Sequence, residues 1–151
     1  STKMPLISPE HFKTFVNHYN RQIVEKAHEK GLKVVMHSDG NLWPLMDTII
    51  ETGYDGINPL EPQAGMKLKK MKKYCGDNIC LLGNIDCVDI LPDGTPDEVE
   101  QEVIKAIADG AKGGGLILCS SNSLHPGVNP ENCIAMFEAA RIHGQYKKGL
   151  K

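Results

Sequence analysis

Four short apolar runs, each ending in polar residues and each followed by a helix-patterned stretch, constrain this chain more than anything else in it. The runs cover residues 32–37, 56–62, 79–85 and 116–120, and near-continuous apolar character fits strands covered on both faces. The stretches between them have recognisable helix ends. Ser8-Pro9-Glu10 starts a helix whose apolar positions Phe12, Phe15, Val16, Tyr19, Ile23 and Ala27 follow a helical period up to Gly31. Leu42, Leu45, Met46, Ile49 and Ile50 form a second, where Pro44 is tolerable because it falls in the first turn. A lysine-rich helix covers residues 65–74, with Met66 and Met71 directed inward. Thr95-Pro96-Asp97-Glu98 reads as a capping box for a fourth built on Val99, Val103, Ile104 and Ile107. Asn129-Pro130-Glu131 caps a last helix carrying Ile134, Phe137 and Ala140, after which the tail turns basic and polar. A helix followed by four strand–helix units implies a parallel sheet with right-handed crossovers. That sheet is either flat and doubly wound or part of a (β/α) barrel. In both, the C-terminal ends of the strands carry the site.

The two ends of the runs differ in kind. The N-terminal ends begin Gly31-Leu32, Gly53-Tyr54, Asp77-Asn78 and Gly113-Gly114, which is turn chemistry. The C-terminal ends collect His37, Asp39 and Asn41, then Asn58 and Glu61, then Asn84 and Asp86, and last Cys119, Ser121, Asn122, Ser123 and His125. Polar tips on four consecutive parallel strands meet on one rim, and the asymmetry points to function. His37 and Asp39 are two apart, so on an extended backbone their side chains leave on the same side. Together with Glu61 they offer the imidazole and carboxylates that suit zinc or another divalent metal. Equally, Asp39 can hold His37 in one tautomer or act as a general base. Asp86 reads either as a substrate contact beside Asn84 or as a turn aspartate. Asn41, Asn122 and His125 are further candidate contacts for a small-molecule substrate. The run Gly113-Gly114-Gly115 precedes a strand instead of opening a helix, so it is a turn and not a phosphate cradle.

Bulk properties narrow the classes. A chain of 151 residues reads as a single domain over 1–151. A net charge of −2 gives no basic footprint for nucleic acid, and 40% hydrophobic content argues against disorder. No apolar run has membrane-spanning length and no signal segment opens the chain, so a cytoplasmic protein is expected. Five cysteines without a Cys-x-x-Cys pair fit reduced, mostly buried thiols, Cys119 among them. The opening Ser1-Thr2-Lys3 lacks a start methionine and reads as processed, tagged or cut from something longer.

The stretches His37-Ser38-Asp39-Gly40-Asn41, Gly56-Ile57-Asn58-Pro59-Leu60-Glu61, Leu82-Gly83-Asn84-Ile85-Asp86 and Ile117 through Asn132 resemble the uroporphyrinogen decarboxylase family. That family includes the decarboxylase of haem synthesis, zinc-dependent methyltransferases that move methyl groups between corrinoid proteins and thiols and, more distantly, cobalamin-independent methionine synthase. The resemblance implies the C-terminal half of a TIM (β/α)8 barrel: four parallel strands alternating with helices. The methyltransferases bind metal through a His-x-Cys pair and a later cysteine, and the methionine synthases add a glutamate. Carried over, the histidine is His37, Asp39 stands in the first cysteine's place, the glutamate is Glu61, and the late cysteine falls on Asn122.

The resemblance thus implies a corrinoid-linked methyltransferase-like enzyme with a bound divalent metal, zinc being one choice, held by His37, Asp39 and Glu61. His37, Asp39 and Asp86 would be catalytic; Asn41, Asn84, Asn122 and His125 would contact substrate. A corrinoid protein is the implied partner. The alternatives are a decarboxylase-like carboxy-lyase of tetrapyrrole metabolism and a non-catalytic half-barrel. An open half-barrel also implies a homo-oligomer or a missing N-terminal half.

Overall fold

The computed structural model describes residues 4–145; the start Ser1-Thr2-Lys3 and the basic end of the tail lie outside them. The order of elements is the expected one. Helical pieces α1 (Pro9–His11) and α2 (His18–His28) flank a π-helical segment, Phe12–Asn17. Strand β1 (Val35–His37) leads through a 3-10 turn, Trp43–Leu45, into α3 (Met46–Thr52). Strand β2 (Gly56–Asn58), a second 3-10 turn (Pro62–Ala64) and α4 (Leu68–Cys75) follow. Then come β3 (Cys80–Ile85), the short α5 (Ile90–Asp93), α6 (Pro96–Gly110), β4 (Leu116–Ser120) and α7 (Pro130–His143). The caps are those read from the sequence. Ser8 accepts from the His11 amide, Thr95 and Glu98 form a reciprocal capping box, and Asn129 accepts from the Glu131 amide.

All pairings are parallel and the strand order is β1-β2-β3-β4, so chain order is spatial order. Met36, Ile57, Leu81 and Leu116 share one level of the register, and Ile57 and Leu81 are wholly buried under the helices. The opposite face is different. Val35 and Ile117 remain 46% and 53% exposed, so helices cover one face only. This excludes the doubly wound alternative, which is covered on both faces, and is the arrangement of half a (β/α)8 barrel: helices outside, an open inner face, and β1 and β4 at the edges. Gly56 lies on that inner face. A Cβ there would sit 2.9 Å from Leu82 Cδ1 and 3.2 Å from Val35 Cγ2, so glycine is what lets three strands close up at this level.

The core runs between the sheet and its helices through Met46, Ile49, Met66, Met71, Leu91, Val99 and Val103. Two expected stripes are displaced. Phe15, Tyr19 and Ile23 face outward, Phe15 at 65% exposure and Ile23 at 61%, while Val24 is buried. The π-helical segment widens the turn through i→i+5 bonding and rotates its residues and those that follow relative to a 3.6 period, so a phase counted from Phe12 fails from Phe15 onward. In α7, Ile134 and Phe137 are exposed, and the buried line is Asn132, Met136 and Ala139. Small residues at the inner positions, Ala135, Ala139 and Ala140, let α7 approach α6 closely. Among the described residues no helix is long and apolar enough to cross a membrane.

Candidate functional site

The rim is built from the tips of the two edge strands and the loop after β2. Backbone pairing continues one residue past β1, where the Ser38 amide donates to Asn58 O at 2.8 Å. This fixes His37 beside Asn58, its register partner, and the ring Nδ1 lies 2.7 Å from Asn58 Oδ1. An amide oxygen only accepts, so Nδ1 carries the proton and a neutral ring keeps its lone pair on Nε2. Asn58 in turn donates through Nδ2 to Cys119 Sγ at 3.8 Å on the same face. Burial pushes the Cys119 thiol up, so it stays a thiol.

His37 Nε2 faces Asp39 Oδ1 at 3.7 Å, as the two-residue spacing implies. The same Asp39 oxygen accepts from Asn122 Nδ2 at 2.9 Å, a bond across 83 residues that joins the tips of β1 and β4. Glu61 Oε2 accepts from the Gly40 amide at 2.6 Å and so straps the β1 and β2 loops together. Asp39, Glu61 and Asn122 line an open cleft of about 840 Å3, whose other wall is apolar: Phe12 and Val16 from the π-helical segment, with Leu42 and Leu45 from the entry to α3. The segment Pro5–Ile7 borders the same cleft. Sequence reasoning missed this wall and the ring-orienting role of Asn58. The signal for Asn58 was its position at the same strand level as His37, which only the register supplies.

Other expected site residues are placed elsewhere or used otherwise. Asn41 Oδ1 accepts from the Trp43 amide at 3.0 Å, closing the turn into the 3-10 segment. Asn84 donates to Met66 O and lines a groove between α4 and α6 with Leu68 and Glu102, on the helix side of the sheet and away from the cleft. Asp86 is the turn aspartate, its Oδ1 accepting from the Val88 amide at 2.8 Å while Gln63 bridges it to Asp89. Both ring nitrogens of His125 are engaged with backbone: Nε2 with Cys87 O at 2.9 Å and Nδ1 with the Gly127 amide at 3.1 Å. It fastens its own loop and leaves no nitrogen for substrate.

The expected ligand trio is not assembled as ligands. Among the described residues no three His, Cys, Asp or Glu side chains are grouped so that they could hold a metal ion. His37 and Asp39 adjoin each other, while Glu61 spends one oxygen on the Gly40 amide. Zinc asks for at least three protein donors converging on one point, and among the described residues His37, Asp39 and Glu61 do not supply them.

Comparison with known proteins places the chain. Over 150 residues it is 27% identical to uroporphyrinogen decarboxylase of Pseudoalteromonas atlantica, covering 95% of this chain and 40% of that protein. Over 131 residues it is 28% identical to methylcobamide:CoM methyltransferase MtbA of Methanosarcina acetivorans, covering 85% of this chain and 37% of that one. A solved methyltransferase from Methanosarcina mazei superimposes with a TM-score of 0.78 at 24% identity, covering 93% of this chain and 39% of its own. The chain therefore spans about two fifths of the length of these relatives. The family model described as uroporphyrinogen decarboxylase (URO-D) matches residues 2–143, and with this half-barrel beneath it the chain belongs to the URO-D family.

Proposed function

We propose that this chain forms the catalytic rim of one half of a corrinoid-linked, methyltransferase-like enzyme. The observation that carries the reading is the charge of the cleft: Asp39 and Glu61 line it, and among the described residues no lysine or arginine does. Decarboxylation of a polycarboxylate calls for cationic groups to grip the substrate, above all bidentate arginines. Methyl transfer to a small neutral acceptor needs a base, an apolar surface and exclusion of water. His37 serves as that base. Asn58 holds its proton on Nδ1, its Nε2 lone pair is turned to the rim, and Asp39 stabilises the imidazolium once the acceptor's proton has moved. Asn122 fixes the Asp39 carboxylate for this task.

A bound corrinoid would supply the methyl group. The apolar wall of Phe12, Val16, Leu42 and Leu45 suits its largely apolar ring and neutral amide periphery. No step is assigned to a metal, because the His37, Asp39 and Glu61 donors do not converge. The methyltransferase relative supports this reading, and the decarboxylase relatives support the competing one.

Incubation with a methylated corrinoid and a thiol acceptor, followed by visible absorbance, separates the two. Loss of the methylated spectrum is expected, and His37→Ala should slow it about 10²- to 10⁴-fold. Consumption of uroporphyrinogen without methyl transfer would overturn the reading in favour of a carboxy-lyase.

A further inference from the structure

We infer that Cys119 is a positioning residue for His37 and acts through Asn58, holding that amide in the orientation that leaves His37 Nε2 free to take a proton. The inference rests on the methyl-transfer reading above and deepens it. The amide of Asn58 is reversible. Its Oδ1 lies 2.7 Å from His37 Nδ1, and half a turn of the group would put a donating nitrogen where the accepting oxygen stands. With oxygen on the ring, the proton sits on Nδ1. With nitrogen there it moves to Nε2, and the ring has no lone pair left at the rim. Asp39 favours that second arrangement, because its Oδ1 lies 3.7 Å from Nε2 and a carboxylate attracts an N–H. The first arrangement therefore needs support from the far end of the amide.

Cys119 is what that end touches. Asn58 Nδ2 donates to Cys119 Sγ at 3.8 Å, and among the described residues the Asn58 side chain makes no hydrogen bond besides these two. The contact reaches from β2 to β4 across the intervening β3. It can do so because β3 is bare at this level. Alternation from Leu82, which faces Gly56 on the inner side, would bring Asn84 to the same side, yet Asn84 donates to Met66 O on the helix side. Burial keeps Cys119 a neutral thiol. At 3.8 Å its large sulfur is still within reach of an amide N–H, whereas the weakly polar S–H has little to offer an oxygen at that distance. A residue that merely filled space on the inner face would not discriminate between the two orientations.

The experiment is nitrogen NMR of the histidine rings in the full chain, at a pH of about 8.5 where an ordinary imidazole is neutral. His37→Gln identifies the His37 signals. In the wild type the proton is expected on Nδ1. Cys119→Val, which keeps the bulk and removes the sulfur, should shift the tautomer ratio about two- to tenfold toward Nε2–H, the range one ordinary hydrogen bond commands. Cys119→Ala, which cannot overpack, should do the same, and Cys119→Ser, which restores an acceptor, should return the ratio toward wild type; circular dichroism checks that each variant is folded. A wild-type His37 protonated on Nε2, a ratio unmoved by the valine and alanine variants, or one that serine does not recover would overturn the inference. The tautomer is read without turnover, so such a result leaves methyl transfer standing. A ratio that responds as expected in a chain that transfers no methyl group would remove the functional reading and keep the role of Cys119.

Discussion

The contrast between Asp39 and Asp55 shows how much a carboxylate's surroundings decide. Asp55, at the start of β2, accepts from Lys33 Nζ, His28 Nε2 and the Val34 amide, each at 2.8 Å, tying the end of α2 and the approach to β1 onto the next strand. The hydrogen bond from Lys33, then those from His28 and Val34, hold its carboxyl far below the usual range. A folded-state pKa below the unfolded one means that the stabilisation is complete above the unfolded value of about 4 and fades as pH falls below it. Asp55→Asn should therefore cost about 1–3 kcal/mol at pH 7. In urea titrations the gap to the wild type should narrow as pH drops from 5 to 3; a gap that widened would contradict the assignment. At the rim, the His37–Asp39 pairing was legible from a two-residue spacing. The diversion of Glu61 to the Gly40 amide was not, because it depends on where a loop of another unit comes to lie.

At the level of elements, the sequence was clear wherever a local rule operates alone. The helix caps, the four strands and their order all follow from short-range chemistry and right-handed crossovers. Burial stripes failed where a second element sets the phase. The π-helical turn moves the inward position from Ile23 to Val24, and the close approach of α7 to α6 selects Ala139 and Met136 over Ile134 and Phe137. This is open to a paired test. Val24→Ala should destabilise by about 2 kcal/mol, from lost apolar burial and the cavity left behind. Ile23→Ser, on the exposed side, should stay within about 0.5 kcal/mol of wild type. Denaturation midpoints in the reverse order would restore the 3.6-residue phase and remove the role given to the π segment.

Taken whole, the molecule is a sheet finished on one side. Helices seal the outer face, while Val35 and Ile117 stand open on the inner face and, among the described residues, both edge strands lack an outer neighbour. Exposed apolar surface beside free strand edges drives association. The chain in isolation is expected to scatter light as a dimer or larger species, and Val35→Thr combined with Ile117→Thr should shift it toward monomer. A wild-type monomer at high concentration would show that the inner face tolerates water. Membership of a barrel family was legible from the resemblance carried by the strand tips, and the open half-barrel followed from that resemblance; the apolar runs alone do not give it, since they look alike whether helices or a lumen cover them.

The bond between Asp39 and Asn122 has a consequence for how the molecule comes together. It joins the first strand's tip to the last strand's, 83 residues apart, and the strand order puts two whole strands between them. No local folding event can form it. Each strand–helix unit has to dock in turn and the sheet has to curl before the two tips meet, so this contact carries the loop-closure cost of more than half the chain. The rim's polar order is thus a late arrival in folding and an early loss in unfolding. Detaching the β4 unit frees Asp39 while most of the sheet still stands, so chemistry at the rim is a stricter gauge of complete assembly than secondary structure is.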